Sequence, residues 1–185
     1  MKRPEIYVSV DIEASGPVPG EYSMLSLGAC LVEALDQTFY AELRPISDRF
    51  VPAALEVTGF DLQDLSINGQ PPGDVMKSLF DWVVTQSPAG TPVFVGFNAS
   101  FDWSFVNWYF HKFLGKNPFG VAPLDIKGYY MGLAGCLWDE TRSSRLPENL
   151  KPSRAGQTPH NALSDALYQG ELFRRMMELR ANLLR

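Results

Sequence analysis

The sequence predicts an α/β domain with a mixed sheet, an antiparallel meander followed by parallel strands, flanked by helices. Three observations predict it. Ile6, Val8, Val10 and Ile12 alternate with Tyr7, Ser9, Asp11 and Glu13, the period of a half-buried strand. Two more strand-like runs, MLSLGACLVE (24–33) and QTFYAELRPI (37–46), follow closely enough to pair antiparallel with the first. After Pro52 the pattern changes to helices alternating with apolar runs, the order that packs helices on a sheet.

Each element has its own signal. Gly16, Pro17, Pro19 and Gly20 mark the loop after the first strand. The link between the second and third strands is short and carries no turn dipeptide. PAALEVTG reads as a short helix ended by Gly59, and DVMKSLFDWVV spaces Met76, Leu79, Phe80 and Val83 helically. TPVFVGFN is a compact apolar run bounded by Pro92 and Asn98, as a buried strand would be. A helix follows from Ser100 to Leu114, and PLDI suggests another short strand. After a polar stretch over 138–158, a last helix runs from Pro159 towards Arg180, with Thr158 as its cap and Pro159 in its first turn. Irregular segments of that length are functional or mobile in most domains.

With 185 residues, 45% of them hydrophobic and 20% charged, the chain reads as one folded domain over 1–185. Its two cysteines, Cys30 and Cys136, sit in no metal-binding or disulfide spacing, which fits a reducing, cytoplasmic setting. No stretch is long and apolar enough for a membrane span, and the first residues lack the pattern of a secretory leader. A net charge of −5 counts against nonspecific duplex binding, which rests on many Lys and Arg contacts to phosphate.

Chemistry enters through three acidic pieces. Asp11 and Glu13, two apart on a strand, project side by side, and like charges held together call for a shared cation. Asp102 lies in the first turn of the helix that follows a buried strand, so its carboxylate sits near the end of the sheet. Asp165 lies close beside the apolar stripe of the last helix, an expensive place for an acid without a partner. His160 comes five residues earlier. On an ideal helix that separation is about 140° around the axis, so His160 is expected at the loop-to-helix junction, free to swing, and not on the face of Asp165. Taken singly, these pieces also read as a solvated strand edge, a helix-dipole acid and a structural histidine.

Together and in order, Asp11-Ile12-Glu13-Ala14-Ser15-Gly16, Gly96-Phe97-Asn98-Ala99-Ser100-Phe101-Asp102 and the His160…Asp165 spacing resemble the motifs of DEDDh-type 3′–5′ exonucleases. That family is DnaQ-like and has the ribonuclease H-like fold. The resemblance implies two divalent ions, Mg²⁺ or Mn²⁺, held by Asp11, Glu13, Asp102 and Asp165, with His160 as general base. It implies release of nucleoside 5′-monophosphates from the 3′ end of single-stranded RNA or DNA, and it allows a homodimer. Nucleotide contacts are expected from Ala14, Ser15, Gly16, Asn98 and Phe101, with Met24 or Leu25 as an apolar wedge. The family often has Thr-Thr-Gly after the glutamate, where this chain has Ala14-Ser15-Gly16 and then a Pro/Gly-rich loop. Phe97, Trp103, Phe105, Trp108 and Tyr109 offer further aromatic surface, most of it core. Arg142, Arg145, Lys151 and Arg154 gather before His160, where phosphate contact and an ordinary solvated loop fit equally. Asp125 fits either a helix cap or a residue orienting a ligand acid. A noncatalytic nucleic-acid- or protein-binding module retaining the fold is the alternative, and an endonuclease could use the same ions; a missing acid or histidine would favour the binding module, and none is missing.

Overall fold

A computed structural model describes residues 3–153 and 160–183. β1 (Glu5–Ala14) runs through the centre of a five-stranded sheet. On one side, β2 (Met24–Leu31) and β3 (Ala34–Glu42) complete an antiparallel meander; on the other, β4 (Thr91–Gly96) and the two-residue β5 (Leu124–Asp125) run parallel to β1. The strand order β3-β2-β1-β4-β5 is that of the ribonuclease H-like fold.

β3 begins earlier than its sequence pattern suggests, after a turn at Val32 and Glu33. Neither residue is a turn former. Val32 is fully buried and its N–H donates to Tyr7 O at 3.0 Å, so packing onto β1 holds the connection.

The alternation in β1 sorts its side chains onto two faces. Val8, Val10, Ile12 and Ala14 enter one core with Val75, Met76 and Leu79 of α3 (Pro72–Gln86) and Phe105, Val106 and Tyr109 of α4 (Ser100–Leu114). The opposite face meets α6 (Ala162–Leu183), whose Leu172, Phe173 and Met176 form a second cluster. α1 (Pro52–Thr58) ends just before Gly59, as its sequence indicates.

Two helices have weak sequence signals. α2 (Leu62–Asn68) and α5 (Ile126–Ala134) each bury a single residue, Leu65 and Ile126, so neither has an apolar period. Their readable signal is the capping aspartate: Asp61 accepts from Gln63 and Asp64 N–H, and Asp125 from Lys127 and Gly128 N–H.

Over the described part of the 138–158 stretch, the chain forms 3-10 turns at Trp138–Thr141 and Ser143–Arg145. It is anchored there. Thr141, Leu146 and Leu150 are buried, the two leucines against α6, and Lys151 O accepts from Arg175. Arg154, Thr158 and Pro159 lie outside the described residues. The last helix starts at Ala162, later than its sequence pattern suggests, and Asn161 Oδ1 makes the N-cap bond to Ser164 N–H at 3.1 Å. Among the described residues no helix is long and apolar enough to cross a membrane.

α6 approaches the sheet at Gly28. A Cβ placed there would lie 2.3 Å from Ala162 C and Leu163 N, inside contact distance. Ser9 Oγ and Cys30 Sγ both donate to Ala166 O, at 2.7 and 3.4 Å, fixing the next turn. Gly28→Ala is therefore expected to cost about 1–3 kcal/mol in urea unfolding. Gly73→Ala, where the nearest atom to a new Cβ is 3.8 Å away, should cost nothing measurable. Equal effects at the two positions would contradict this packing.

Candidate active site

β1 and β4 pair only as far as Ser9 and Val95. Beyond that register β1 continues to Ala14 while β4 stops at Gly96, and the two strands part. Side chains take over the backbone groups that the ladder leaves. Ile12 N–H donates to Asp102 Oδ1 at 3.1 Å, Val10 O accepts from Gln169 Nε2 at 3.0 Å, and Phe97 N–H donates to Gln169 Oε1 at 2.5 Å. A gap at the carboxyl ends of sheet strands is where open α/β sheets hold ligands.

The acids singled out in the sequence converge on this gap. Asp11 and Glu13 lie on the α6 face of β1, opposite Gly28 and Ser26 of β2. Asp11 and Asp165 line one cavity of about 250 Å³ with Phe97, Asn98, Ser143 and Gln169. Ligand atoms of Glu13, His160 and Asp165 lie within 4.8 Å of one another. As the spacing indicates, His160 lies outside the helix, at the junction that leads into α6, and from there it meets Asp165 without sharing its helix face. The His160 backbone takes φ 56°, a left-handed turn that swings the imidazole back towards the carboxylates.

The electrostatics are those of a site short of positive charge. Burial, and then the negative charge of Asp165, push Glu13 up to about 7. Asp102 is 5% exposed and is also pushed up to about 7, by burial first and by Glu13 and Asp125, against the pull of Ile12 N–H and its own backbone N–H. Oxygen-rich acids held near a proton-binding threshold fit hard divalent cations.

The expected nucleotide contacts divide. Ala14 and Gly16 line an apolar pocket of about 340 Å³ with Pro17, Val51, Ala54 and Phe101, a residue that is 41% exposed. Gly16 is needed there, since a Cβ would meet the Tyr22 ring at 2.2 Å. Ser15 is fully buried and its bonds are used internally: its N–H to Ser23 O, its carbonyl from Val51 N–H, and its hydroxyl between Ser23 N–H and Arg49 O. Met24 and Leu25 are fully buried and present no side chain to this pocket. Asn98 is exposed, with φ 62°, and its Oδ1 accepts from Lys127 Nζ at 2.9 Å. Of the remaining aromatics, Phe105 and Tyr109 are fully buried, Trp103 and Trp108 pack on the core, and Phe97 lines the carboxylate cavity. Arg142 and Arg145 both pair with Asp139, and Lys151 with Glu148.

Three residues escape a motif-based reading. Gln169 is one; it follows Asp165 by a helical turn, so i,i+4 spacing is the signal that could have found it. Asp125 is another, outside the motifs, and its reading as a helix cap holds: Oδ1 caps α5 while Oδ2 accepts Ala99 N–H at 2.8 Å, fixing the start of the helix that carries Asp102. Lys127 is the third, its Nζ 4.2 Å above the exposed Trp138 ring.

No protein-family profile matches the chain. It is 53% identical over 171 residues to the 3′-5′ DNA exonuclease Cap18 of Escherichia coli, covering 92% of this chain and 90% of that protein. A full-length 3′-exonuclease crystal structure superposes with a TM-score of 0.75 at 17% identity, over 97% of this chain and 84% of that one. E. coli Exonuclease I in complex with a dT13 oligonucleotide gives 0.72 at 14% identity, over 97% of this chain but 42% of that one. A 3′-exonuclease solved in a study of 3′-end-specific recognition of a histone mRNA stem-loop gives 0.73 at 17% identity, and this chain spans 65% of it. The strand split that gathers the acids, the motif order and the relation to Cap18 agree: this chain belongs to the DEDDh-type 3′–5′ exonucleases.

Proposed function

We propose that this exonuclease trims single-stranded DNA from its 3′ end, one nucleoside 5′-monophosphate at a time. The gathering of Asp11, Glu13, Asp102, Asp165 and His160 at the β1–β4 split carries the reading. Its DNA preference rests on the 53% identity to a protein named as a DNA exonuclease.

In this reading the four carboxylates hold two divalent cations, Mg²⁺ or Mn²⁺, which when bound supply charge stabilisation to the reacting phosphodiester oxygens. His160 takes a proton from the attacking water at an imidazole nitrogen. The new P–O bond forms as the bond from phosphorus to the penultimate 3′ oxygen breaks, leaving a 3′ hydroxyl on the shortened strand. The terminal base packs into the apolar pocket of Ala14, Gly16, Val51 and Phe101, while Asn98, held by Lys127, borders the strand on its way out. Ser15 shapes that pocket through its internal bonds and touches no nucleotide.

The proximity of His160 to Glu13 and Asp165 also fits a second role, direct ligation of a cation. One set of variants tests both. On 5′-labelled single strands with Mn²⁺, wild type should give a ladder shortening from the 3′ end, faster on DNA than on RNA, and none with EDTA. Asp102→Asn and Asp11→Asn should reduce kcat by at least ~100-fold. His160→Ala should do likewise while binding Mn²⁺ with the wild-type stoichiometry; loss of an ion would favour ligation, and full activity in all three variants would refute the site.

The acids also set a pH signature. With Glu13 and Asp102 raised to about 7, the cation-free folded protein holds protons that the unfolded chain releases near about pH 4. Stability supplied by protonation is therefore lost as pH rises between those limits. In EDTA, the melting temperature should fall from about pH 5 to about pH 8, and Glu13→Gln/Asp102→Asn should flatten the slope. Mn²⁺ should raise the melting temperature more at the higher pH. A wild-type slope unchanged by the double variant would contradict the charge assignment.

A further inference from the structure

We infer that Gln169 is a positioning residue: by bridging the split between β1 and β4 it sets the Asp11 carboxylate for cation binding. The inference rests on the exonuclease reading of this site. Gln169 is 3% exposed, and its side chain touches three different groups. Phe97 N–H, the first donor after β4, gives to Oε1 at 2.5 Å; Val10 O of β1 accepts from Nε2 at 3.0 Å; Asp11 Oδ1 accepts from the same nitrogen at 3.4 Å.

The split explains why a glutamine stands here. Where β1 and β4 part, β1 leaves a buried carbonyl and the residue after β4 a partly buried N–H, and each is costly without a partner. A primary amide alone among neutral side chains of this length offers an acceptor and two donors from one planar group. The Phe97 donor fixes its orientation, because only the amide oxygen can receive that N–H. The nitrogen must then face β1, where its first hydrogen meets Val10 O and its second is directed towards Asp11. A lysine or arginine at this position would place a full positive charge against Asp11 and compete with a cation; the neutral amide orients the carboxylate and leaves its charge in place.

Gln169 also lies one turn beyond Asp165 on the same helix face. One rigid element therefore supplies a proposed cation ligand and the support for another, which comes from a different strand. Ligand-supporting side chains of this kind are typically worth about 10–100-fold in metal affinity or rate.

The test uses Gln169→Met, close in size but unable to bridge, and Gln169→Asn, which keeps the amide one methylene short of both strands. Mn²⁺ is titrated calorimetrically into each protein without nucleic acid, and kcat and KM are measured on a single-stranded DNA oligonucleotide, with circular dichroism as the folding check. Each folded variant should bind Mn²⁺ about tenfold more weakly and lose about tenfold or more in kcat, with KM within about twofold of wild type. A folded variant with wild-type Mn²⁺ affinity and kcat would overturn the inference, as would a rise confined to KM, which would mean that Gln169 contacts the substrate instead. If Gln169→Met does not fold, Gln169→Asn alone decides by the same criteria. Wild type that binds Mn²⁺ without trimming DNA would sink the exonuclease reading, while the Mn²⁺ titrations would still judge Gln169.

Discussion

The architecture of the site depends on one close approach, the backbone of the first turn of α6 against Gly28. Gly28 pairs with Asp11 across β1 and β2, so the place where the helix presses on the sheet is also the place where an acid emerges from it. Any side chain at Gly28 would hold Ala162 and Leu163 away and with them Asp165, three residues along. Ser9 and Cys30, donating to the carbonyl of Ala166, keep the following turn at the same height. Strand and helix thus deliver their acids to a common point with little freedom, because backbone contacts set the distance.

The second constraint is the parting of β1 and β4. A sheet that stayed zipped to the end of β1 would satisfy its own backbone and leave no room for a ligand. Here the ladder stops at Ser9 and Val95, and Asp102 and Gln169 accept or supply the missing bonds. Asp102 consequently carries a structural bond to Ile12 N–H and a proposed cation ligand in one carboxylate. Asp125 works at one remove, tying the N–H of Ala99 to the cap of α5 and so fixing the helix that presents Asp102. The burial that gives this rigidity also raises Glu13 and Asp102 to about 7, so the geometry is maintained at an electrostatic cost that bound cations would relieve.

Much of this could be read from the chain. The alternation of 5–13 gave both the central strand and the correct face for Asp11 and Glu13, because period-2 patterning survives whatever packs above it. α4 matched its expected limits because strong apolar spacing coincided with clear boundaries. α2 and α5 were less legible, since a helix that buries one residue leaves no period, only a capping aspartate. The spacing of His160 and Asp165 showed that the two could not share a helix face and so put His160 at the junction before α6; what it could not show is the left-handed backbone that turns the imidazole towards the carboxylates. The resemblance offers Met24 or Leu25 as an apolar wedge, yet both are core, and strand propensity alone does not say which apolar residues remain exposed. Gln169 was less legible for a different reason: beyond its i,i+4 spacing from Asp165, its bonds run to two backbone atoms on segments remote in sequence.

The central claim is that these two backbone constraints assemble a cation site from Asp11, Glu13, Asp102 and Asp165. Crystals grown with Mn²⁺ and measured at the manganese absorption edge test it most directly. The account predicts anomalous density among those four carboxylates, with Asp11 still bonded to Gln169. Ordered Mn²⁺ bound elsewhere, with these carboxylates unliganded in an unchanged fold, would contradict it.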